Sequence, residues 1–87
     1  MELERLPNIG PELSRLLHLA GIEDAETLRE LGAEQAFLRL RDCDPTACFH
    51  KLTALAGAAG GVRKTQLTPE RRAELRRFFD GLGKNRS

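Results

Sequence analysis

Six residues near the start of the chain, Leu6-Pro7-Asn8-Ile9-Gly10-Pro11, have the types and order needed to hold an anion without any catalytic group. Gly10 can take a positive φ without penalty, and Asn8 is among the few other residues that tolerate one. Pro11 suits a first helical position, where its missing N–H would have no partner anyway. Leu13, Leu16, Leu17 and Ala20 then recur at helical spacing, and Gly21 supplies a left-handed stop before Ile22. A tight turn opening straight into a helix presents backbone N–H groups at the positive end of the helix dipole, where a phosphate oxygen binds. Ile9, between the turn residues, is placed to plug the space between two helices. This is the pattern of a helix-hairpin-helix. It makes Asn8, Ile9 and Gly10 candidate nucleic-acid contacts, with Arg15 following one turn into the helix.

Such a turn is also used as a packing corner or a protein-docking element. Two residues favour that use here. Asn8 stands where phosphate-binding turns carry their first glycine, and Glu12 stands where a cation would help.

A second set of candidates is basic. Residues 1–44 carry five basic side chains against ten acidic ones, whereas residues 45–87 carry nine against three. Attraction to a polyanion must therefore come from the C-terminal half. Arg63, Lys64, Arg72 and Arg76 are its candidate phosphate contacts, sequence-independent and salt-sensitive. The plainer reading is a solvated helix face whose arginine stems cover the edge of the core. Arg77 is expected to pair with Glu74. Phe37, Phe49, Phe78 and Phe79 all fall on apolar stripes, so no aromatic is left for base stacking.

Other chemistry finds little footing. Cys43, Cys48 and His50 lack the compact spacing of zinc ligands, and His18 is the only further histidine. No disulfide is expected in a cytoplasmic chain, and no metal or other cofactor. Nothing in the sequence assigns a role to His18, His50, Cys43 or Cys48. No nucleophile, base and orienter can be assembled, so an enzyme is not expected. With 31% charged and 40% hydrophobic residues, no signal peptide and no apolar run near 20 residues, a cytoplasmic protein without a membrane span is expected.

The elements that must position these residues are helical throughout. At 87 residues the chain is one small domain with a single core. The expected fold is all-α, five or six helices opening with the helix-hairpin-helix. A short helix is expected over residues 2–6, then one from Pro11 to about Ala20. Asp24 caps a third, which Gly32 breaks from a fourth over residues 33–41. Asp42-Cys43-Asp44-Pro45-Thr46 is turn chemistry. A helix over residues 47–59, with Cys48 inside it, ends at Gly60-Gly61. Thr68 and Pro69 start the last helix, which Gly83 stops, and residues 84–87 are expected to fray. The expected core holds Ile9, Leu13, Leu16, Leu28, Leu31, Phe37, Phe49, Leu52, Leu55, Leu75 and Phe78.

Once placed, these segments show a family likeness. Leu6-Pro7-Asn8-Ile9-Gly10-Pro11, Ala20-Gly21-Ile22 and Leu28-Arg29-Glu30-Leu31-Gly32-Ala33 resemble the C-terminal domain of the TfoX/Sxy competence regulators. So do Leu52, Ala54-Leu55, Gly57-Ala58, Gly61-Val62, Glu70-Arg71 and Ala73-Glu74-Leu75, taking the likeness over nearly the whole chain. The turn is also similar to that in the C-terminal domain of the bacterial RNA polymerase α subunit. The resemblance implies a helical domain of the helix-hairpin-helix kind, in proteins that promote transcription of DNA-uptake genes. Longer members carry a further N-terminal domain that these 87 residues do not include.

Two functions follow as expectations. One is a transcription-associated module that contacts the backbone of duplex DNA through the turn and the basic residues. The other is a protein-interaction domain docking through its acidic half onto a transcription regulator or polymerase subunit. A DNA binder should gather the turn and the basic residues on one face. The sequence sets neither oligomeric state nor the genes served.

Overall fold

The computed structural model describes residues 1–84. A 3-10 turn over Leu3–Arg5 leads into α1 (Pro11–Leu19), α2 (Ala25–Cys43) and α3 (Phe49–Gly60). A second 3-10 turn over Lys64–Gln66 precedes α4 (Pro69–Lys84). No strand occurs among the described residues.

The all-α class holds, but the five or six helices expected become four α-helices and two 3-10 turns among the described residues. The segment near residues 2–6 closes only short-range bonds, Arg5 N–H to the Glu2 carbonyl at 3.1 Å and Leu6 N–H to that of Leu3 at 2.9 Å. Within α2, Gly32 takes the non-helical φ 81° and ψ 163°, so the element is two helices meeting at a kink, with the break at Gly32 as expected. Helix α4 passes through Gly83 to Lys84. Of the tail expected to fray, residues 85–87 lie outside the described residues.

Local chemistry sets most helix ends. Asp24 Oδ1 accepts the Thr27 N–H at 2.8 Å, and hydrogen bonding from the Thr27 side chain, then from its backbone, holds the Asp24 carboxyl below the usual carboxylate range. Pro11 and Pro69 occupy first helical positions, and Thr68 Oγ1 accepts the Arg71 N–H at 3.1 Å. Gly61, at φ 74°, closes α3 in the left-handed region. Cys48 is the cap residue of α3 rather than part of its interior, and its thiol is exposed.

Helices α2 and α3 form the central packed pair. Ile9, Leu16, Leu28, Phe37, Leu52, Leu55 and Leu75 are buried as expected. Leu3, Leu6, Leu17, Ile22 and Leu40 join them, whereas Leu13, Leu31, Phe49 and Phe78 stand half-buried at the edge. Helix α4 is fastened by three kinds of contact. Leu75 enters the core. Phe79 packs with ring centroids 5.9 Å from Phe37 and 5.7 Å from Phe49. Arg71 grips Glu34 of α2 through two parallel bonds of 2.8 Å.

Candidate nucleic-acid interface

The turn before α1 is built around Asn8. Its φ of 71° makes it the one non-glycine residue with positive φ among the described residues. Gly10, the natural bearer of that conformation, is instead extended at φ −94° and ψ −177° and caps α1. The side chain of Asn8 explains the exchange. Its Nδ2 donates to the carbonyls of Val62 at 3.0 Å and Ala54 at 3.4 Å, and its Oδ1 accepts the Lys64 N–H at 3.0 Å. Both donors and the acceptor are committed inside the molecule. A phosphate would therefore meet the backbone of this turn, not the Asn8 amide.

The Asn8 clasp fuses the turn to the segment between α3 and α4. Between them runs a groove of about 580 Å³, lined among others by Arg5, Pro7, Asn8, Gly61, Arg63 and Gln66. Gln66 Oε1 accepts the Arg63 N–H at 3.1 Å, which braces the far wall. Arg72 of α4 is tied to the same segment, its Nη2 donating to the Lys64 carbonyl at 3.0 Å, but neither Arg72 nor Lys64 lines the groove. Asn8, Arg63, Lys64 and Arg72 thus come together. Arg5 belongs with them, although no local signal marks it in the sequence. Arg5 and Arg63 have no ion-pair partner among the described residues.

The remaining candidates lie off this groove. Ile9 is buried in the core, as a plug between elements. Gly10 is exposed at the head of α1. Arg15 is held by Glu12 at 2.7 and 3.2 Å, and that bond draws the Glu12 carboxyl below its usual range. Glu12 is therefore answered by its own cation instead of standing alone against a phosphate. Arg76 lies 4.9 Å over the Phe49 ring and 3.4 Å from Asp80. Phe49 is at the opposite end of α3 from Gly61, so Arg76 sits far from the turn. Glu74 pairs with Arg71 at 3.5 Å, not with Arg77. His18, His50 and Cys43 are exposed, and no metal-binding group of three His, Cys, Asp or Glu side chains occurs among the described residues. No helix among them is long and apolar enough to cross a membrane.

The pattern of the TfoX C-terminal domain matches residues 1–79 of this chain, from the N-terminal 3-10 turn through most of α4. The chain belongs to the TfoX C-terminal domain family. Protein Sxy of Escherichia coli K12 is 38% identical to this TfoX domain over 80 residues, which are 92% of this chain and 38% of Sxy. The chain thus spans well under half of that relative. A crystal structure of an uncharacterized protein from Listeria monocytogenes has a TM-score of 0.93 at 37% identity, covering 95% of this chain and 94% of that one. A tetragonal-form structure of a protein of unknown function from the same organism has a TM-score of 0.90 at 38% identity, covering 93% and 99%. The TfoX/Sxy family is one of competence-related regulators.

Proposed function

We propose that this domain is a non-enzymatic module of transcription regulation that binds the phosphate backbone of duplex DNA. The observation that carries the reading is the Asn8 clasp, which joins the turn to the segment of Arg63 and Lys64 and so brings Arg5 and Arg63 into one groove, with Arg72 bonded to the Lys64 carbonyl. The turn adds a helix start. Gly10 gives α1 no side-chain cap, which leaves its first N–H groups available to an anion. All of these groups address phosphates, which are alike in every sequence, and none of the four phenylalanines stands exposed to stack on a base. Binding is therefore independent of sequence and steep in salt.

The test is fluorescence anisotropy of a labelled mixed-sequence duplex of about 20 base pairs, titrated at several salt concentrations. With three or four phosphates neutralised, log K should fall against log salt with a slope of about −3. Absence of binding at about 50 mM salt, where phosphate contacts are strongest, overturns the proposal.

A further inference from the structure

The basic groove offers more than a bare phosphate contact would use. It measures about 580 Å³, with Arg5 on the wall of the opening turn and Arg63 on the wall that follows α3. None of the chain's 13 acidic residues lines it. Two smaller grooves, of about 360 and 230 Å³, carry Asp42 in one and Glu2, Glu4 and Glu23 in the other. Of these three, only the largest meets an anion with cations and no carboxylate.

The rest of its lining includes an apolar surface. Pro7 and Val62 stand beside the arginines, and Val62, at 36% exposure, is one of three large apolar side chains left exposed among the described residues. A phosphate alone would engage the arginines and leave Pro7 and Val62 in water. Gln66 adds a polar group: its Oε1 is taken by the Arg63 N–H, which leaves its amide N–H groups as donors.

We infer that the groove binds a nucleoside carrying a terminal phosphate monoester, the phosphate between Arg5 and Arg63 and the nucleoside against Pro7 and Val62. The inference rests on the phosphate reading proposed above and names the form of phosphate preferred. The volume falls within the roughly 300–1,000 Å³ of small-ligand sites. Each guanidinium is a planar fork that pairs with two oxygens of one phosphate. Two forks from separate walls are satisfied by three terminal oxygens, one of them shared, and only in part by two. A monoester supplies three and carries about −1.5 to −2 charge at neutral pH, close to the charge of the two arginines. An internal diester supplies two and a single charge. A free nucleoside monophosphate and the 5′ end of a strand both present the monoester.

The test is an amide-shift NMR titration of the whole chain with adenosine 5′-monophosphate, its phosphate methyl ester (a diester) and inorganic phosphate. The monophosphate should give saturable shifts centred on Asn8, Gly61, Arg63 and Gln66. The methyl ester and inorganic phosphate should each bind more weakly, the ester by about five-fold or more. Arg5→Gln and Arg63→Gln should each weaken the monophosphate by about five-fold or more, and Arg77→Gln, on α4 outside the groove, should not. A short oligothymidylate with a 5′-phosphate, compared with its 5′-hydroxyl form, separates the two sources. A phosphate-dependent gain exceeding the affinity of the free monophosphate assigns the site to strand ends, and a smaller gain assigns it to free nucleotides. Equal binding of monophosphate and methyl ester, monophosphate binding no tighter than inorganic phosphate, or shifts unaltered in both groove variants would each overturn the monoester site. Duplex binding that persists in that event leaves the backbone reading standing. Saturable monophosphate binding without any duplex binding would overturn the backbone reading and keep the site.

Discussion

The side-chain amide of Asn8 lies so close to Gly57 that a Cβ added at position 57 would stand 2.5 Å from Asn8 Nδ2. The same atom would meet the Val62 carbonyl oxygen at 2.7 Å and the Lys64 nitrogen at 3.1 Å. A glycine inside a helix costs about 0.5–1 kcal/mol against alanine. Here it opens the slot in which the turn is latched to α3.

Gly57→Ala should therefore destabilise the domain by about 1–3 kcal/mol, despite alanine's better helix propensity. Urea unfolding checks this, and a rise in the midpoint would show that the turn can lift away without cost.

At Asn8 two effects separate. Asn8→Ala removes the bonds to Val62, Ala54 and Lys64 and puts at φ 71° a residue that tolerates the left-handed region less well than asparagine. The expected loss is about 2–3 kcal/mol. Asn8→Gly loses the same bonds but tolerates the backbone, so it should recover about 1 kcal/mol of that loss. Equal melting temperatures for the two variants would assign the whole effect to the hydrogen bonds.

The Arg71–Glu34 pair gives a pH signature. Its hydrogen bonds hold the Glu34 carboxyl below the usual carboxylate range. The folded pKa is thus lower than the unfolded one, so the contribution is present above the unfolded value and lost as pH falls through the folded one. Both side chains are about one-third exposed, which keeps the contribution near 1 kcal/mol. Glu34→Gln should lower stability by about that amount at neutral pH, and the difference from wild type should vanish as the pH falls through the lowered folded pKa of Glu34. Denaturant midpoints across that range decide the matter.

On DNA, charge reversal should sort the arginines by position. Arg63→Glu with Arg72→Glu should weaken duplex binding more than ten-fold and flatten the salt slope by about two. Arg76→Glu should do little, because Arg76 is engaged by Phe49 and Asp80 away from the turn. Glu12→Lys should strengthen binding twice over, by adding a cation and by releasing Arg15. Anisotropy titrations of the folded variants measure all three.

Core truncations should follow depth. Phe37→Ala, at a fully buried site, should cost about 3–5 kcal/mol. Phe78→Ala should cost less, since Phe78 is half-buried at the edge. Thermal melts rank them.

What the sequence reveals about this molecule is what short-range chemistry decides. Asp24, Thr68, Pro11 and Pro69 mark helix starts because a cap or a fixed φ acts within three residues. Gly61 and Gly32 mark a stop and a break because only backbone freedom is at issue. Asn8 eludes the same logic. Its left-handed conformation, taken in place of Gly10, is maintained by acceptors and a donor 46 to 56 positions away. Gly57, Arg5 and the Arg71–Glu34 grip are illegible for the same reason. Each has meaning only opposite a partner that no spacing in the chain reveals.

The Asn8 latch also bears on when the proposed DNA face exists. Arg5 belongs to the chain's opening turn, whereas Arg63 and Arg72 follow α3, so the cationic cluster assembles only when this long loop closes. Loops of such span close late, after local helices have condensed. An unfolded chain therefore scatters its cations and competes poorly for DNA. Duplex should protect the Lys64 amide from hydrogen exchange and raise the melting temperature as its concentration rises. In the cell, such linkage would make the polyanion itself a guardian of the folded state, sheltering from proteolysis the molecules that are engaged.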